Sequence, residues 1–334
     1  MKWIITGGSG FIGSNVVRML HESGHTPIVI DDLSRPRVFE NSNWFKKEFN
    51  IDTHKIDIRD LSSLKNVFRI HSDAQVVLHL AGQVSLLESI RDPRSDFEIN
   101  SIGTLNVLES IRDHLPDAHL IFTSTNKVYG ELVGQVFKEK LTRFTSEQSP
   151  GGFNEDTKLS PSGGYGVSNF AAELLISEWR QSYGVKSTIL RQSSIYGPRQ
   201  FSTSDQGWVA FFVECFLKNM DFEINGSGKQ VRDILFVEDL FRLFLRIVEL
   251  GADAQGTFNV GGGEQNSLSI VELFELLSAK TGNFPKFERG PMRPFDQLVF
   301  VSDNSRITKA TGWRPNVSYK DGIDDLISWT RSNL

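Results

Sequence analysis

The chain opens on a glycine-rich turn, Gly7-Gly8-Ser9-Gly10-Phe11-Ile12-Gly13, in which Gly7, Gly10 and Gly13 follow a Gly-x-x-Gly-x-x-Gly spacing. An apolar run, Trp3–Thr6, leads into it, and an amphipathic helical pattern, Phe11–Ser23, leads out. That order lets the backbone approach a pyrophosphate closely and seats it on a helix N-terminus. Turns and caps also use glycine, so the flanking strand and helix carry the reading. Gly7, Gly10, Phe11, Ile12 and Gly13 are the predicted phosphate loop. Asp31 ends the next apolar run, 18 residues past Gly13, with Asp32 beside it. Such folds place a ribose-binding acid near this spacing. A carboxylate there accepts from both ribose hydroxyls and repels a 2′-phosphate, which predicts NAD. Arg35 and Arg37 follow closely enough to leave NADP open. Asp57 and Ile58 fall where an adenine contact is expected, although alone they read as an ordinary turn. A third set is richer in hydroxyls. Thr123-Ser124-Thr125-Asn126-Lys127-Val128-Tyr129-Gly130 closes a strand, and Tyr165-Gly166-Val167-Ser168-Asn169 opens a helix. Positions 165 and 169 are one turn apart and share a face.

The elements needed to carry these residues are legible in the pattern. Strands are predicted at Trp3–Thr6, Pro27–Asp31, Lys55–Ile58, Val76–Leu80, Leu120–Ser124 and Ser187–Gln192. Unbroken apolar runs such as Val76-Val77-Leu78 suit strands covered on both faces. Helices are predicted at Phe11–Ser23, Leu61–His71, Ser101–His114 and Val167–Tyr183. Their alternation predicts an α/β fold, a Rossmann-type doubly wound parallel sheet, which binds ligands at the carboxyl ends of its strands. Residues 1–186 form the expected cofactor domain, joined by returning segments near 230–262. Residues 187–334 form mainly a smaller, mixed substrate lobe. The polar stretch 132–161 reads as a long surface loop near the site mouth.

Composition narrows the function class. Of 334 residues, 39% are hydrophobic and 23% charged, with 36 Lys+Arg against 41 Asp+Glu for a net charge of −5. Neither a nucleic-acid binder nor a binder of anionic membranes is expected from that balance. The single cysteine, Cys215, permits no internal disulfide and no cysteine-based zinc site, and suits the cytoplasm. The seven histidines show no metal-ligand spacing, so no metal is expected. No apolar run predicts a signal peptide or a membrane span.

The glycine loop, Tyr165–Asn169, Leu80-Ala81-Gly82, Asn100 and Val231–Asp239 together resemble the extended short-chain dehydrogenase/reductase family. Ser124–Gly130, Arg199–Trp208, Gly228–Asp233, His79–Gln83, Asp96–Asn100 and Asp296–Val301 resemble its branch of CDP-sugar 2-epimerases. This similarity runs nearly the whole chain, and the Thr-Asn-Lys and Arg199–Trp208 stretches are its most specific parts. The resemblance implies an isomerase of lipopolysaccharide O-antigen biosynthesis. Bound NAD oxidises a hydroxyl at C2 of a CDP-linked dideoxyhexose, and the hydride returns to the other face of the keto sugar. It implies Tyr165 as general acid/base and Thr125 as the hydroxyl that orients the same oxygen. Leu80, Ala81, Gly82, Asn100, Tyr165 and Asn169 join the expected cofactor contacts. Ser124, Thr125, Asn126, Lys127, Ser194, Phe201, Gln206, Trp208, Arg232 and Arg293 are the expected substrate contacts, with the two arginines on the diphosphate. Relatives pair the helices matching Ser101–His114 and Val167–Tyr183 between subunits, which implies a homodimer or homotetramer.

Two departures from the family pattern bear on chemistry. Its Tyr-x-x-x-Lys motif ends here in Asn169. Asparagine donates hydrogen bonds to a ribose but brings no charge to lower the tyrosine pKa, so slowed chemistry is expected, with Lys127 the candidate substitute cation. The Asp-Glu pair that dehydratases carry after the catalytic threonine is replaced by Asn126-Lys127, which disfavours elimination of water. A 4-epimerase remains open, because pocket shape selects the carbon. So does a non-catalytic binder of NAD or a nucleotide sugar, because of Asn169.

Overall fold

The computed structural model describes residues 1–333. In chain order its first elements are β1 (Lys2–Thr6), α1 (Phe11–Glu22), β2 (Thr26–Asp31), α2 (Val38–Phe49), β3 (Thr53–Lys55), α3 (Leu61–Ile70), β4 (Val76–His79), α4 (Leu86–Arg91), α5 (Pro93–Phe97), α6 (Gly103–His114) and β5 (His119–Thr125). A short hairpin, β6 (Phe137–Glu139) and β7 (Phe144–Ser146), precedes α7 (Gly163–Tyr183), β8 (Ser187–Gln192), β9 (Ser194–Tyr196), α8 (Trp208–Lys218), β10 (Phe222–Asn225), β11 (Val231–Phe236), α9 (Val237–Leu250) and β12 (Gly256–Val260). The chain closes with β13 (Ser267–Ser269), α10 (Ile270–Thr281), β14 (Phe287–Gly290), β15 (Val299–Phe300), α11 (Ser305–Thr311) and α12 (Tyr319–Ser332).

Seven strands form one sheet in the order β12-β8-β5-β4-β1-β2-β3. β1 pairs in parallel with both β2 and β4, so the strand order reverses between β1 and β4. That switch point is where a doubly wound sheet opens its ligand crevice, and the glycine loop leaves β1 on its edge. The sheet is apolar because both faces are covered: on one, Ile4, Ile30, Val77, Leu120 and Ile189 pack with Leu64 and Phe68 of α3, Leu108 and Ile111 of α6, and Ile176 of α7; on the other, the alternate residues Ile5, Val29, Leu78, Ile121 and Leu190 are fully buried.

Contacts divide the chain into two compact units. One comprises 1–125, 163–191 and 241–258, and the other 126–162, 192–240 and 259–334. The returning segment of the first unit is therefore α9 from Phe241 onward and the start of β12, and 126–162 belongs to the second. In the second unit β11 carries three neighbours, pairing in parallel with β9 and β15 and antiparallel with β13. Its core is rich in phenylalanine: Phe212 meets Phe274 edge-on at 4.8 Å, and Phe222 stacks on Phe287 at 5.7 Å.

The structure departs from the pattern in four places. The third strand is Thr53–Lys55 rather than Lys55–Ile58, because the Asp57 carboxylate accepts from Arg59 N at 2.8 Å and bends the chain out of the sheet. Helix α2 was not expected, its sequence being half polar; Asn41 turns inward and donates to Ser9 O of the glycine loop at 2.9 Å. The helix expected from Ser101 begins earlier, as a π-helical turn over Glu98–Ile102 that runs into α6. The stretch 132–161 is no plain surface loop. It contains β6 and β7, and it buries Phe153 against Phe300 at 5.7 Å.

Candidate active site

In the first unit, the turn after β1 has room only for glycine. Gly7 takes φ +68°, and a Cβ there would stand 2.6 Å from Ala81 N. A Cβ on Gly13 would stand 2.5 Å from Gly7 O. Gly10 closes the turn by donating to Gly7 O at 3.1 Å, and Ser14 donates to Gly10 O at 2.8 Å to start α1 with Phe11 and Ile12 at its mouth. Asp31 at the end of β2 is buried and accepts from Ser9 N at 3.0 Å and Leu33 N at 2.9 Å. Burial raises its pKa, against those two amides. The bare loop and the buried acid fit a dinucleotide: pyrophosphate on the first, ribose hydroxyls on the remaining lone pairs of the second.

Other predicted cofactor residues are already engaged. Asp32 accepts from Ser34 N and Oγ at 3.0 and 2.7 Å, capping its own turn. Asp57 is held by Arg59, whose hydrogen bonds lower the carboxyl pKa, and Ile58 lies buried under Gly103. Leu80, Ala81 and Gly82 form the segment after β4, in which Leu80 N donates to Thr6 O at 3.0 Å. Asn100 fastens that segment from the π-helical turn: it accepts from Gln83 N at 2.8 Å and donates to Gln83 O at 3.1 Å and Ser168 Oγ at 3.0 Å.

Tyr165 stands in the first turn of α7, and its phenol is hydrogen-bonded to the Thr125 hydroxyl at the end of β5. Removal from water raises the phenol pKa; the Thr125 bond lowers it, the Asp96 carboxylate raises it and the Arg35 guanidinium lowers it. Asp96 is buried in α5 and accepts from Ser168 Oγ at 2.5 Å and Gln83 Nε2 at 2.6 Å. Asn169 folds back on its helix, donating from Nδ2 to Tyr165 O at 2.9 Å. The Ser124 hydroxyl, expected on the substrate, donates instead to Glu173 at 2.5 Å.

The second unit gathers cations. Lys127 Nζ lies 3.0 Å and Arg232 Nη2 2.6 Å from the same oxygen of Asp296. Burial pushes the Asp296 carboxyl up, but the two cations outweigh it and hold the pKa at about 2. Burial lowers the Lys127 pKa, Asp296 raises it, and Arg232 and Arg293 lower it further. Arg293 donates to Ser204 O at 2.6 Å. Gln297, buried next to Asp296, donates to Gly130 O at 2.7 Å and Asn126 O at 3.3 Å, and accepts from Asn126 Nδ2 at 3.2 Å. Two cations on one carboxylate, with Arg293 near enough to Lys127 to lower its pKa, suit a polyanion such as a diphosphate. Trp208 Nε1 donates to Ser194 Oγ at 3.2 Å, Phe201 lies 6.2 Å ring to ring from Trp329, and Gln206 closes a tight turn with Thr203.

The sequence marks Asp96, Asp296 and Gln297 only as parts of resembling stretches, without a role, and gives no role to Glu173 or Arg191. Arg191 had a visible signal, a charge inside the predicted strand Ser187–Gln192. Among the described residues, no three His, Cys, Asp or Glu side chains are grouped to hold a metal ion, and no helix is long and apolar enough to cross a membrane.

Residues 3–261 match the NAD dependent epimerase/dehydratase family. The chain is 40% identical over 338 residues to the CDP-paratose 2-epimerase of Salmonella typhi, covering 99% of this chain and all of that one. Among solved structures it resembles the UDP-glucose 4-epimerase of Thermotoga maritima with UDP-glucose, at 32% identity and TM-score 0.83 over 100% of this chain and 99% of that one. It also resembles the Thermus thermophilus UDP-glucose 4-epimerase in complex with NAD, at 30% identity and TM-score 0.84 over the whole of both chains. With the glycine loop, the buried acid and the Tyr165–Thr125 pair on the same sheet edge, the chain belongs to the NAD dependent epimerase/dehydratase family.

Proposed function

We propose that the protein epimerises a CDP-linked dideoxyhexose at C2, converting CDP-paratose to CDP-tyvelose through a keto sugar. The full-length likeness to the Salmonella typhi CDP-paratose 2-epimerase carries this reading. Gly7, Gly10, Gly13 and Asp31 hold NAD, with Leu80–Gly82 lining its course. Bound NAD supplies the hydride acceptor and donor. Tyr165 takes the proton of the C2 hydroxyl and returns it once the keto sugar presents its other face. Thr125 shares that oxygen and keeps the phenol in hydrogen-bond reach of it. Arg232, Lys127 and Arg293 neutralise the diphosphate, and the 201–208 segment receives the base.

The test is incubation with CDP-paratose, read by the sugar-ring proton couplings. Inversion at C2 with C4 unchanged is expected. Inversion at C4 instead identifies a 4-epimerase, and binding without turnover identifies a non-catalytic protein; either overturns the proposal. We further propose a homodimer or homotetramer in the cytoplasm, serving O-antigen assembly. Val167 and Leu174 are exposed on α7, seven residues apart on one face, and Phe97 and Ile102 are exposed beside α6, an apolar surface suited to a second copy. Light scattering at micromolar concentration should give a multiple of the chain mass.

A further inference from the structure

Arg191 in β8 and Glu173 in α7 form an ion pair with side chains 7% and 4% exposed. Arg191 Nε donates to both carboxylate oxygens at 3.1 Å, and Nη2 donates to Oε2 at 2.8 Å. Ser124 of β5 donates to Oε1 of the same carboxylate. The next residue of β5 is Thr125, whose hydroxyl meets the Tyr165 phenol. Two adjacent residues of one strand are thus tied to positions 165 and 173 of one helix, about 12 Å apart along its axis at 1.5 Å per residue.

A single tie leaves a helix free to slide and turn about it, whereas two ties fix both settings. Stability alone does not call for charges here, because apolar side chains of similar volume often hold two elements as well as a buried ion pair does. What the charged pair adds is a defined geometry: a fork of guanidinium donors on one carboxylate and a hydroxyl on its outer edge. Proton transfer depends on hydrogen-bond reach between the groups involved.

We propose that Ser124, Glu173 and Arg191 are positioning residues, holding β5 and α7 in the setting at which the Thr125 hydroxyl meets the Tyr165 phenol. This rests on the acid/base role given to Tyr165 above. Asp96 and Arg35 act on the same phenol by charge, and substitution at Ser124 leaves both in place.

Ser124→Ala removes one tie and leaves Glu173 paired with Arg191. Two readouts on the full chain with bound NAD decide the matter. The first needs no turnover: the chain has five tyrosines, and the 13Cζ resonance of Tyr165, assigned with Tyr165→Phe, reports its titration. Loosening the Thr125 bond should raise that pKa by about half a unit or more. The second is steady-state turnover of CDP-paratose: kcat should fall roughly 10-fold with KM within about twofold, and Ser124→Thr should recover most of the rate. An unmoved Tyr165 titration, or a raised KM with kcat intact, overturns the proposal. If the unsubstituted protein turns over no CDP-sugar, the functional reading fails and the titration alone decides this one. Should Ser124→Ala not fold, the double variant Glu173→Met/Arg191→Met replaces both charges with apolar volume and takes the same readouts with the same expected shifts.

Discussion

Asn169 stands one helical turn from Tyr165 and brings no charge to it. A lysine ammonium at that position would favour the phenolate, whereas the Asn169 amide is uncharged and donates one N–H to Tyr165 O. A cation within ~4–6 Å lowers such a pKa by about 1–3 units, or roughly 1.4–4 kcal/mol on proton transfer. Asn169→Lys should therefore raise kcat at neutral pH by at least about 10-fold, with substrate affinity far less changed. The alkaline rise of the pH–rate profile should move down with it. Lys127, the candidate substitute, has its charge matched by Asp296. The charges that act on Tyr165 are Arg35, which lowers its pKa, and Asp96, which raises it. Asp96→Asn should move the pH–rate profile toward lower pH and Arg35→Gln toward higher pH. Shifts of the same sign in both variants would refute this electrostatic account.

Among the elements, the glycine turn has the least tolerance. It is walled by its own backbone at Gly7 and Gly8, by the segment after β4, and by Asn41 of α2 on Ser9 O. Gly13→Ala would push a methyl against Gly7 O and Gly8 Cα at 2.5 Å, where only backbone can yield. The expected result is a folded protein with its dinucleotide largely lost, measured as NAD released per chain on heat denaturation. Full NAD content in Gly13→Ala would show that the loop is not the pyrophosphate cradle. Asn100 acts similarly at a distance, since its amide has one face on Gln83 and the other on Ser168.

At the scale of the molecule, two buried histidines make stability depend on pH. His79 is hydrogen-bonded to Thr6 at 2.7 Å and Thr104 at 3.0 Å, and burial lowers its pKa to about 4. Burial, with Arg180 and Lys186 nearby, lowers that of His119 to about 4 as well. Unfolded, both protonate near 6.5, so between pH 6.5 and 4 the unfolded chain binds more protons and stability falls as pH falls. The slope is about 1 kcal/mol per pH unit for each histidine. Urea unfolding at pH 7 and pH 5 should show this loss, and His119→Gln should remove about half of the histidine share. Asp96 and Glu155, whose pKa values burial raises, act in the opposite sense. The difference between the variant and the parent isolates the histidine.

By itself the sequence determined what is local and periodic. The glycine spacing, Asp31 at a strand end, the unbroken apolar strands and the Tyr165–Asn169 turn are written in neighbouring residues, so the doubly wound sheet and its cofactor edge were legible. Tertiary structure alone decided the pairings between distant residues. Glu173 with Arg191 and Ser124, Asp96 with Gln83 and Ser168, and Asp296 with Lys127 and Arg232 each join residues far apart along the chain. No periodicity marks which charge will meet which. The half-polar face of α2 likewise reads as exposed until Asn41 finds Ser9 O. Local propensity fixes an element and the face it buries; only packing in three dimensions brings a desolvated charge to the partner that makes its burial tolerable.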